Sequence, residues 1–297
     1  MKAMKPLLSN IKEKIIHLLE GPPPAVVIEE VPKNPKEMSA ENLTLLKEVL
    51  SVPTRFRNEE RMIYYLSHYL NEKGYESYID GVGNVYATKG QSEHFPCVVA
   101  HIDTVHHLDP SLEVVQDDDI LFAINQFDQQ IGIGGDDKNG VYLALRMLEE
   151  FDNIKAAFFV SEEIGCLGSR ASDDTFFENV GYVVQFDAPF DYMVTHYCDG
   201  TKLFELDGDF YGIAEPIILK YFGEKMQLFR HPYTDVSILK RKHDFSCINL
   251  SCGYYNMHSS SEYVKISDIE NAFNLGVELI GSLGENLYYM EKQKSPY

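Results

Sequence analysis

Four short apolar segments, each ending at or near acidic residues or a histidine, constrain the fold more than any other feature of the sequence. Their nearly continuous apolar character is typical of strands that are covered on both faces. We therefore predict four buried strands within an α/β fold. The segments are 97–100 (CVVA), 155–160 (KAAFFV), 182–186 (YVVQF) and 246–250 (SCINL).

Helical spacing of apolar residues predicts helices before, between and after these strands. The last helix is predicted to open on Ser267 and Glu270, which have the spacing of a capping box. Because strands and helices alternate, we predict a mixed, mostly parallel sheet flanked by helices on both faces. The predicted helices are 40–51, 57–73, 137–151, 211–222, 233–242 and 267–281.

The first 38 residues differ from the rest of the chain. A predicted amphipathic helix at 5–20 is followed by a segment at 21–38 that contains five prolines. We interpret residues 1–38 as an arm, and residues 39–297 as the main domain. The alternative is an ordinary terminal helix that packs on this domain.

Composition excludes several classes of function. The formal net charge of −20 argues against nucleic acid and anionic membrane partners, because both require a basic surface. No apolar run reaches the length of a transmembrane helix, about 20 residues, and polar residues break any signal-peptide core near the N-terminus. The five cysteines are scattered without a CxxC pair, which predicts reduced thiols and a cytoplasmic location.

Potential metal ligands follow the predicted strands at corresponding places. Each residue alone is more typical of a helix cap or a solvated turn than of a metal site. Their joint occurrence at the carboxyl ends of strands, where ligands of open α/β sheets gather, instead predicts a common site. The residues are His101 and Asp103 after the first strand, Glu162 and Glu163 after the second, Asp187 after the third, His258 after the fourth, and Asp136 before a helix.

The donor types indicate a metal centre. Two histidines and three carboxylates fit zinc, with cobalt or manganese as substitutes, and one carboxylate must bridge if two ions bind close together. Asp103 lies two residues beyond His101 on an extended strand end and can accept the imidazole N–H. Of the adjacent Glu162 and Glu163, one can bind metal while the other acts as a general base.

Five motifs resemble the co-catalytic zinc peptidases related to peptidase T. This wider clan includes aminopeptidase-like, aminoacylase-like and carboxypeptidase-like enzymes. Taken together, the motifs span most of residues 97–264 in the order found in the family. They are AHIDTV (100–105), GGDDKNG (134–140), SEEIGCLGS (161–169), FDAP (186–189) and NMHSSSEYV (256–264).

The resemblance implies a role for each of these residues. His101 and Asp187 would hold one zinc ion, Glu163 and His258 the other, and Asp136 would bridge them. Asp103 would orient His101, and Glu162 would be the general base. The resemblance also implies a cis peptide bond between Asp136 and Asp137.

The chain departs from the family in one respect. Peptidase T-like enzymes insert a lid and dimerisation domain before the final histidine, whereas only residues 188–257 separate Asp187 from His258 here. We therefore predict a single catalytic domain over 39–297 with no lid and no lid-mediated dimer, while the oligomeric state stays open. The predicted function is hydrolysis of short peptides from the N-terminus. The alternatives are deacylation of N-acyl amino acids and a non-catalytic scaffold.

Residues outside these motifs receive simpler interpretations. His106 and His107 are predicted to be exposed loop residues, and Cys166 a small core residue. Thr234 or Asp235 is predicted to cap the helix at 233–242. The sharper hypothesis for this region is that nearby His231 donates a hydrogen bond to the oxyanion of a reaction intermediate.

Overall fold

The structure is a computed structural model that describes residues 38–292, so the predicted arm at 1–38 lies outside the described residues apart from Met38. It contains the following helices and strands. The α-helices are α1 (Ala40–Ser51), α2 (Glu60–Glu72), α3 (Gly135–Glu150), α4 (Leu167–Arg170), α5 (Asp209–Phe222), α6 (Asp235–Lys242) and α7 (Ile266–Leu283), with 3-10 turns at Asp174–Phe177 and Gly223–Lys225. The strands are β1 (Glu76–Ile79), β2 (Val85–Lys89), β3 (Phe95–His101), β4 (Glu113–Asp117), β5 (Ile120–Ile124), β6 (Gln130–Ile131), β7 (Ile154–Phe159), β8 (Val180–Ala188), β9 (Met193–Cys198), β10 (Thr201–Lys202), β11 (Gln227–His231), β12 (Ser246–Ser251), β13 (Tyr254–Tyr255) and β14 (Tyr263–Lys265).

The predicted sheet is confirmed as a mixed, nine-stranded sheet. Its order is β1-β2-β7-β3-β8-β12-β9-β10, and β11 pairs with β9. The four central strands β7, β3, β8 and β12 run parallel to one another. Every residue of these four strands is buried, because helices such as α3 and α6 cover the sheet. They are the four strands predicted from the apolar segments.

A second, smaller sheet was not predicted. It has five antiparallel strands in the order β13-β14-β5-β4, with β6 paired to β5. Its strands are short and partly exposed, and β4 and β14 lack a continuous apolar run. Strand β5 is an apolar run (ILFAI) with alternating burial, which the sequence interpretation missed. This sheet matters for the site because β13 and β14 flank the loop that carries His258.

The predicted capping box of the last helix is wrong. Helix α7 begins at Ile266 with Lys265 as N-cap residue, so Ser267 lies inside the first turn. The Ser267 hydroxyl instead donates to Asp119 Oδ2 at 2.6 Å, and its backbone N–H donates to Asp119 Oδ1 at 2.9 Å. A side chain from the β4–β5 turn therefore supplies the cap that the local sequence does not.

The described helices and the cysteines bear on two further predictions. Within residues 38–292, no helix is long and apolar enough to cross a membrane. All five cysteines are buried and none forms a disulfide bond.

Candidate metal centre

The fold brings three groups of predicted ligands to one edge of the central sheet. Strand β3 ends at His101, β7 leads directly to Glu162 and Glu163, and β8 carries Asp187 near its end. Because β7, β3 and β8 are adjacent and parallel, their carboxyl ends lie side by side. Asp136 joins them from the first turn of α3.

Two clusters of potential metal ligands share one residue. The first consists of His101, Asp136 and Asp187, and the second of Asp136, Glu163 and His258, with ligand atoms within 4.8 Å of one another in each. Asp136 Oδ1 lies 3.1 Å from His101 Nε2, whereas its Oδ2 lies 3.2 Å from His258 Nε2. Each oxygen of Asp136 therefore faces a different cluster, which is the arrangement that a bridging carboxylate requires.

The remaining contacts show that both clusters favour positive charge. His101 Nε2 lies 3.6 Å from Asp187 Oδ1, and His258 Nε2 lies 3.1 Å from Glu163 Oε1. Burial lowers the pKa of His101, but hydrogen bonds to surrounding carboxylates outweigh it and raise that pKa well above its ordinary value. Hydrogen bonds to Asp136 and Glu163 raise the pKa of His258 to about 10. Imidazole and carboxylate donors at this spacing fit divalent zinc, cobalt or manganese.

Asp103 connects the two halves of the site. The acceptor nearest to His101 Nδ1 is the backbone oxygen of Asp103 at 3.2 Å, with the Asp103 carboxylate at 3.5 Å. That carboxylate also accepts the backbone N–H groups of Glu162 at 2.9 Å and Glu163 at 3.1 Å. The predicted contact between His101 and the Asp103 carboxylate is thus longer than the contact with the Asp103 backbone oxygen. The bonds from the Asp103 carboxylate to the glutamate pair were not expected from its spacing.

Glu162 lies beside both clusters but belongs to neither. Its side chain is buried, and Oε2 lies 4.0 Å from His101 Nε2. Burial raises the pKa of Glu162 well above its ordinary value, and the nearby carboxylates of Asp187 and Asp235 act in the same direction. Cys166 is a buried core residue, as predicted, but its Sγ also lies 3.5 Å from Glu162 Oε1. A buried carboxylate beside the clusters is suited to accept a proton.

Asp187 is oriented by residues that the sequence interpretation missed. Thr234 precedes α6 as predicted for an N-cap, but its side chain makes no capping bond. Its hydroxyl instead lies 2.8 Å from Asp187 Oδ2 and 2.9 Å from Gln185 Oε1. Asn249 on β12 holds the backbone of Asp187 from the other side, with bonds of 2.8 and 2.9 Å. The only signal in the sequence is that Gln185 and Asn249 are polar residues inside apolar strands.

The turn before Asp136 is held by Glu262, a second residue that the sequence interpretation missed. The Glu262 carboxylate is fully buried and accepts the backbone N–H groups of Gly134 at 2.9 Å and Asp136 at 3.2 Å. His106 Nε2 lies 2.5 Å from the same carboxylate. The prediction that His106 is an exposed loop residue is therefore wrong, whereas His107 is exposed.

The two glycines of this turn allow close packing against neighbouring residues. Gly134 has a φ of +73°, which other residues rarely adopt, and a Cβ at Gly135 would lie 2.8 Å from the Tyr254 Cβ. The predicted cis peptide bond between Asp136 and Asp137 is confirmed.

We expect Glu262→Gln to make the position of Asp136 less well fixed. Glutamine places an N–H₂ group where one carboxylate oxygen now accepts a backbone N–H, so a buried donor loses its partner. The expected cost is about 1–3 kcal/mol in the free energy of unfolding, with a roughly 10–100-fold loss of metal affinity. Denaturant titration of the metal-free protein and calorimetric metal titration measure the two effects. Glu93→Gln, at an exposed position, makes the same charge change as a control. Equal behaviour of the two variants would contradict the proposed role.

A cavity of about 510 Å³ opens onto the clusters. Asp136, Glu162, Glu163, Asp187 and His258 line one part of it, and His231 from β11 lines another. His231 Nδ1 lies 2.7 Å from the Tyr233 backbone oxygen, to which it donates its proton. When His231 is neutral, its Nε2 therefore carries a lone pair and cannot donate a hydrogen bond. Only the imidazolium form of His231 can donate from Nε2. The oxyanion hypothesis for His231 stays a prediction with this added requirement.

Comparison with known proteins gives one partial sequence match. No family model matches the sequence. A putative [LysW]-lysine/[LysW]-ornithine hydrolase from Pyrococcus abyssi (strain GE5 / Orsay) is 32% identical over 146 residues, or 48% of this chain. The match covers 38% of that protein, so the chain spans well under half the length of the curated relative.

Solved structures show a closer likeness in fold than in sequence. Aminopeptidase PepT from Bacillus cereus ATCC 10987 matches with a TM-score of 0.69 and 14% identity, over 82% of this chain and 98% of that one. A tripeptidase from Staphylococcus aureus subsp. aureus mu50 matches with a TM-score of 0.68 and 12% identity, over 80% of this chain and 96% of that one. The resemblance to peptidase T that the motifs predict is thereby confirmed at the level of the fold.

Proposed function

We propose that this chain is a two-metal exopeptidase that hydrolyses short peptides from the free amino end. The observation that carries the proposal is the Asp136 carboxylate, whose two oxygens face two histidine-containing clusters. A buried carboxylate, Glu162, lies beside them and lines the cavity. Together these features fit two-metal hydrolysis of an amide, which uses a pair of cations and a nearby base.

The proposed roles follow from the contacts. His101 and Asp187 would hold one ion, Glu163 and His258 the other, and Asp136 both. Two divalent ions, zinc by preference, would polarise the scissile carbonyl and acidify water. Glu162 accepts the proton of the attacking water and passes it to the nitrogen of the leaving amine. Asp103, Thr234 and Glu262 fix the orientations of these groups.

The charges of the cavity favour an aminopeptidase over its alternatives. Among the described residues that line the cavity there is no lysine or arginine. A carboxypeptidase or a deacylase of N-acyl amino acids must bind a free carboxylate close to the scissile bond, and this cavity offers it no permanently charged partner. The similarity to a hydrolase from Pyrococcus abyssi supports hydrolysis in general. A non-catalytic scaffold is disfavoured because it would not need a buried Glu162 beside intact clusters.

The proposal includes the absence of an inserted lid. Residues 188–257 contain β9 to β13, α5 and α6. Strands β9 to β12 belong to the central sheet, and β13 belongs to the second sheet. This use of the segment supports one catalytic domain over 39–297 with no lid-mediated dimer.

Digestion of a peptide library tests the proposed function. The full chain loaded with zinc, cobalt or manganese is incubated with short peptides that have free or acetylated amino ends, and the products are identified by mass spectrometry. We expect single residues to be released from free amino ends only. Release of acetate from acetyl amino acids would indicate a deacylase, and shortening from the carboxyl end a carboxypeptidase. No cleavage by protein that binds two ions would support the scaffold alternative.

A further inference from the structure

The part of the cavity away from the metal ligands is apolar and aromatic. Phe190, Tyr192, Phe229, Tyr254 and Met257 contribute to its wall. They come from the loop after β8, from β11, and from the segment around β13. Three separate parts of the chain therefore form one continuous apolar wall beside the candidate metal centre. Such a surface is typical of a ligand-binding cleft and differs from a single exposed apolar side chain.

Phe190 is held in a fixed position within this wall. Its φ is +64°, a conformation that bulky residues rarely adopt and that costs energy. The backbone N–H of Phe190 donates to Tyr254 O at 3.0 Å, and its O accepts from Gly253 N at 2.9 Å. The ring stacks on Tyr192 with 5.5 Å between centroids and meets the edge of Tyr255 at 5.6 Å. The surrounding residues therefore present a rigid aromatic surface to the cavity.

Phe229 lines the same cavity from strand β11. Side chains alternate along the strand, so Gln227, Phe229 and His231 line the cavity whereas Leu228 and Arg230 do not. Among the described strands β11 pairs only with β9, and Phe229 is 38% exposed. Met257, on the loop that carries His258, is 44% exposed. These apolar side chains remain accessible next to the clusters and can be covered by an apolar group of a ligand.

We propose that Phe190, Phe229 and Met257 of this wall bind the side chain of the substrate's first residue and select large apolar side chains there. The inference rests on the proposed aminopeptidase function and names its substrate class. Binding of an apolar side chain against these residues is favourable because apolar surface is removed from water. An acidic side chain would meet no lysine or arginine among the described lining residues and four carboxylates nearby. A small side chain would leave the wall uncovered.

The test compares a matched pair of variants on one strand. Wild type, Phe229→Ala and Leu228→Ala are assayed as zinc-loaded full chains on Xaa-Ala-Ala peptides, where Xaa is Ala, Leu, Phe, Lys or Asp. Leu228 is 43% exposed on the same strand but outside the cavity, which makes it the control. We expect wild type and Leu228→Ala to prefer Leu and Phe over Ala by roughly 10–100-fold in kcat/KM. Phe229→Ala should reduce that ratio by about tenfold.

The outcomes separate the inference from the function on which it rests. A wild-type preference for Lys, Asp or Ala would overturn the inference while leaving the peptidase proposal intact. An unchanged Leu-to-Ala ratio in Phe229→Ala, or the same loss in Leu228→Ala, would also overturn it. If wild-type protein with two bound ions cleaves none of the peptides, the peptidase proposal fails, and this inference fails with it.

Discussion

Glu162→Gln is expected to reduce kcat by about 10²–10⁴-fold while the metal content stays normal. The amide keeps the shape of the side chain but cannot accept the proton of the attacking water. Glu162 belongs to neither ligand cluster, so its replacement leaves both sets of donors in place. The measurement combines steady-state kinetics with elemental analysis of the same preparation. A large loss of turnover without a loss of metal is the signature of a general base.

Glu163→Gln is the matched comparison for that prediction. The two residues are adjacent, and both backbone N–H groups are held by Asp103. Only Glu163 lies in the second cluster, with Oε1 at 3.1 Å from His258 Nε2. We therefore expect Glu163→Gln to weaken the binding of one ion, and Glu162→Gln to leave the binding of both ions unchanged. If Glu162→Gln loses metal and Glu163→Gln does not, the two assignments are reversed.

Asp136→Ala is expected to weaken the binding of both ions and to abolish activity. Asp136 is the residue common to the two clusters, so its removal takes one donor from each. Asp187→Ala removes a donor from the first cluster only. We expect each affected affinity to fall by at least about 10–100-fold, since even the loss of residues that merely orient ligands has effects of that size. Calorimetric titration with zinc, supported by elemental analysis, gives both stoichiometry and affinity.

The contrast between these two variants is what tests the bridge. Wild type should bind two ions per chain, Asp187→Ala should keep one strong site, and Asp136→Ala should keep none. A wild-type stoichiometry near one that Asp136→Ala leaves unchanged is incompatible with a bridging Asp136. Asp152→Ala removes an exposed acidic group elsewhere and shows how much a change in net charge alone contributes.

The central part of the fold could be predicted because its signal is local. Strands β3, β7, β8 and β12 are buried on both faces, so each appears in the sequence as an apolar run. The hairpin of β4 and β5 is only partly buried and its turn is acidic, so it was not predicted, although β5 itself is a short apolar run. Asp119 in that turn caps a helix 148 residues away, a partner that no local pattern reveals.

The same distinction applies to the candidate site. The metal-ligand types follow strand ends and belong to motifs, so they could be listed from the sequence. Their supporting contacts join distant segments, such as His106 with Glu262 and Thr234 with Asp187. Those partners are separated by 156 and 47 residues, and the side chains meet only in the folded chain. Sequence patterns therefore indicate the candidate donors, whereas the structure shows how these side chains are oriented.

In the proposed two-metal centre, the shared carboxylate of Asp136 would also link the two ion sites thermodynamically. Because one oxygen faces each cluster, an ion in one cluster changes both the charge and the freedom of the group that serves the other. If the first ion changes the affinity for the second by a given factor, the second ion must change the affinity for the first by the same factor. Stepwise dissociation constants, rather than a single average value, are therefore the meaningful description of metal loading. The fraction of active enzyme then depends on the concentration of free metal with a steepness set by that coupling.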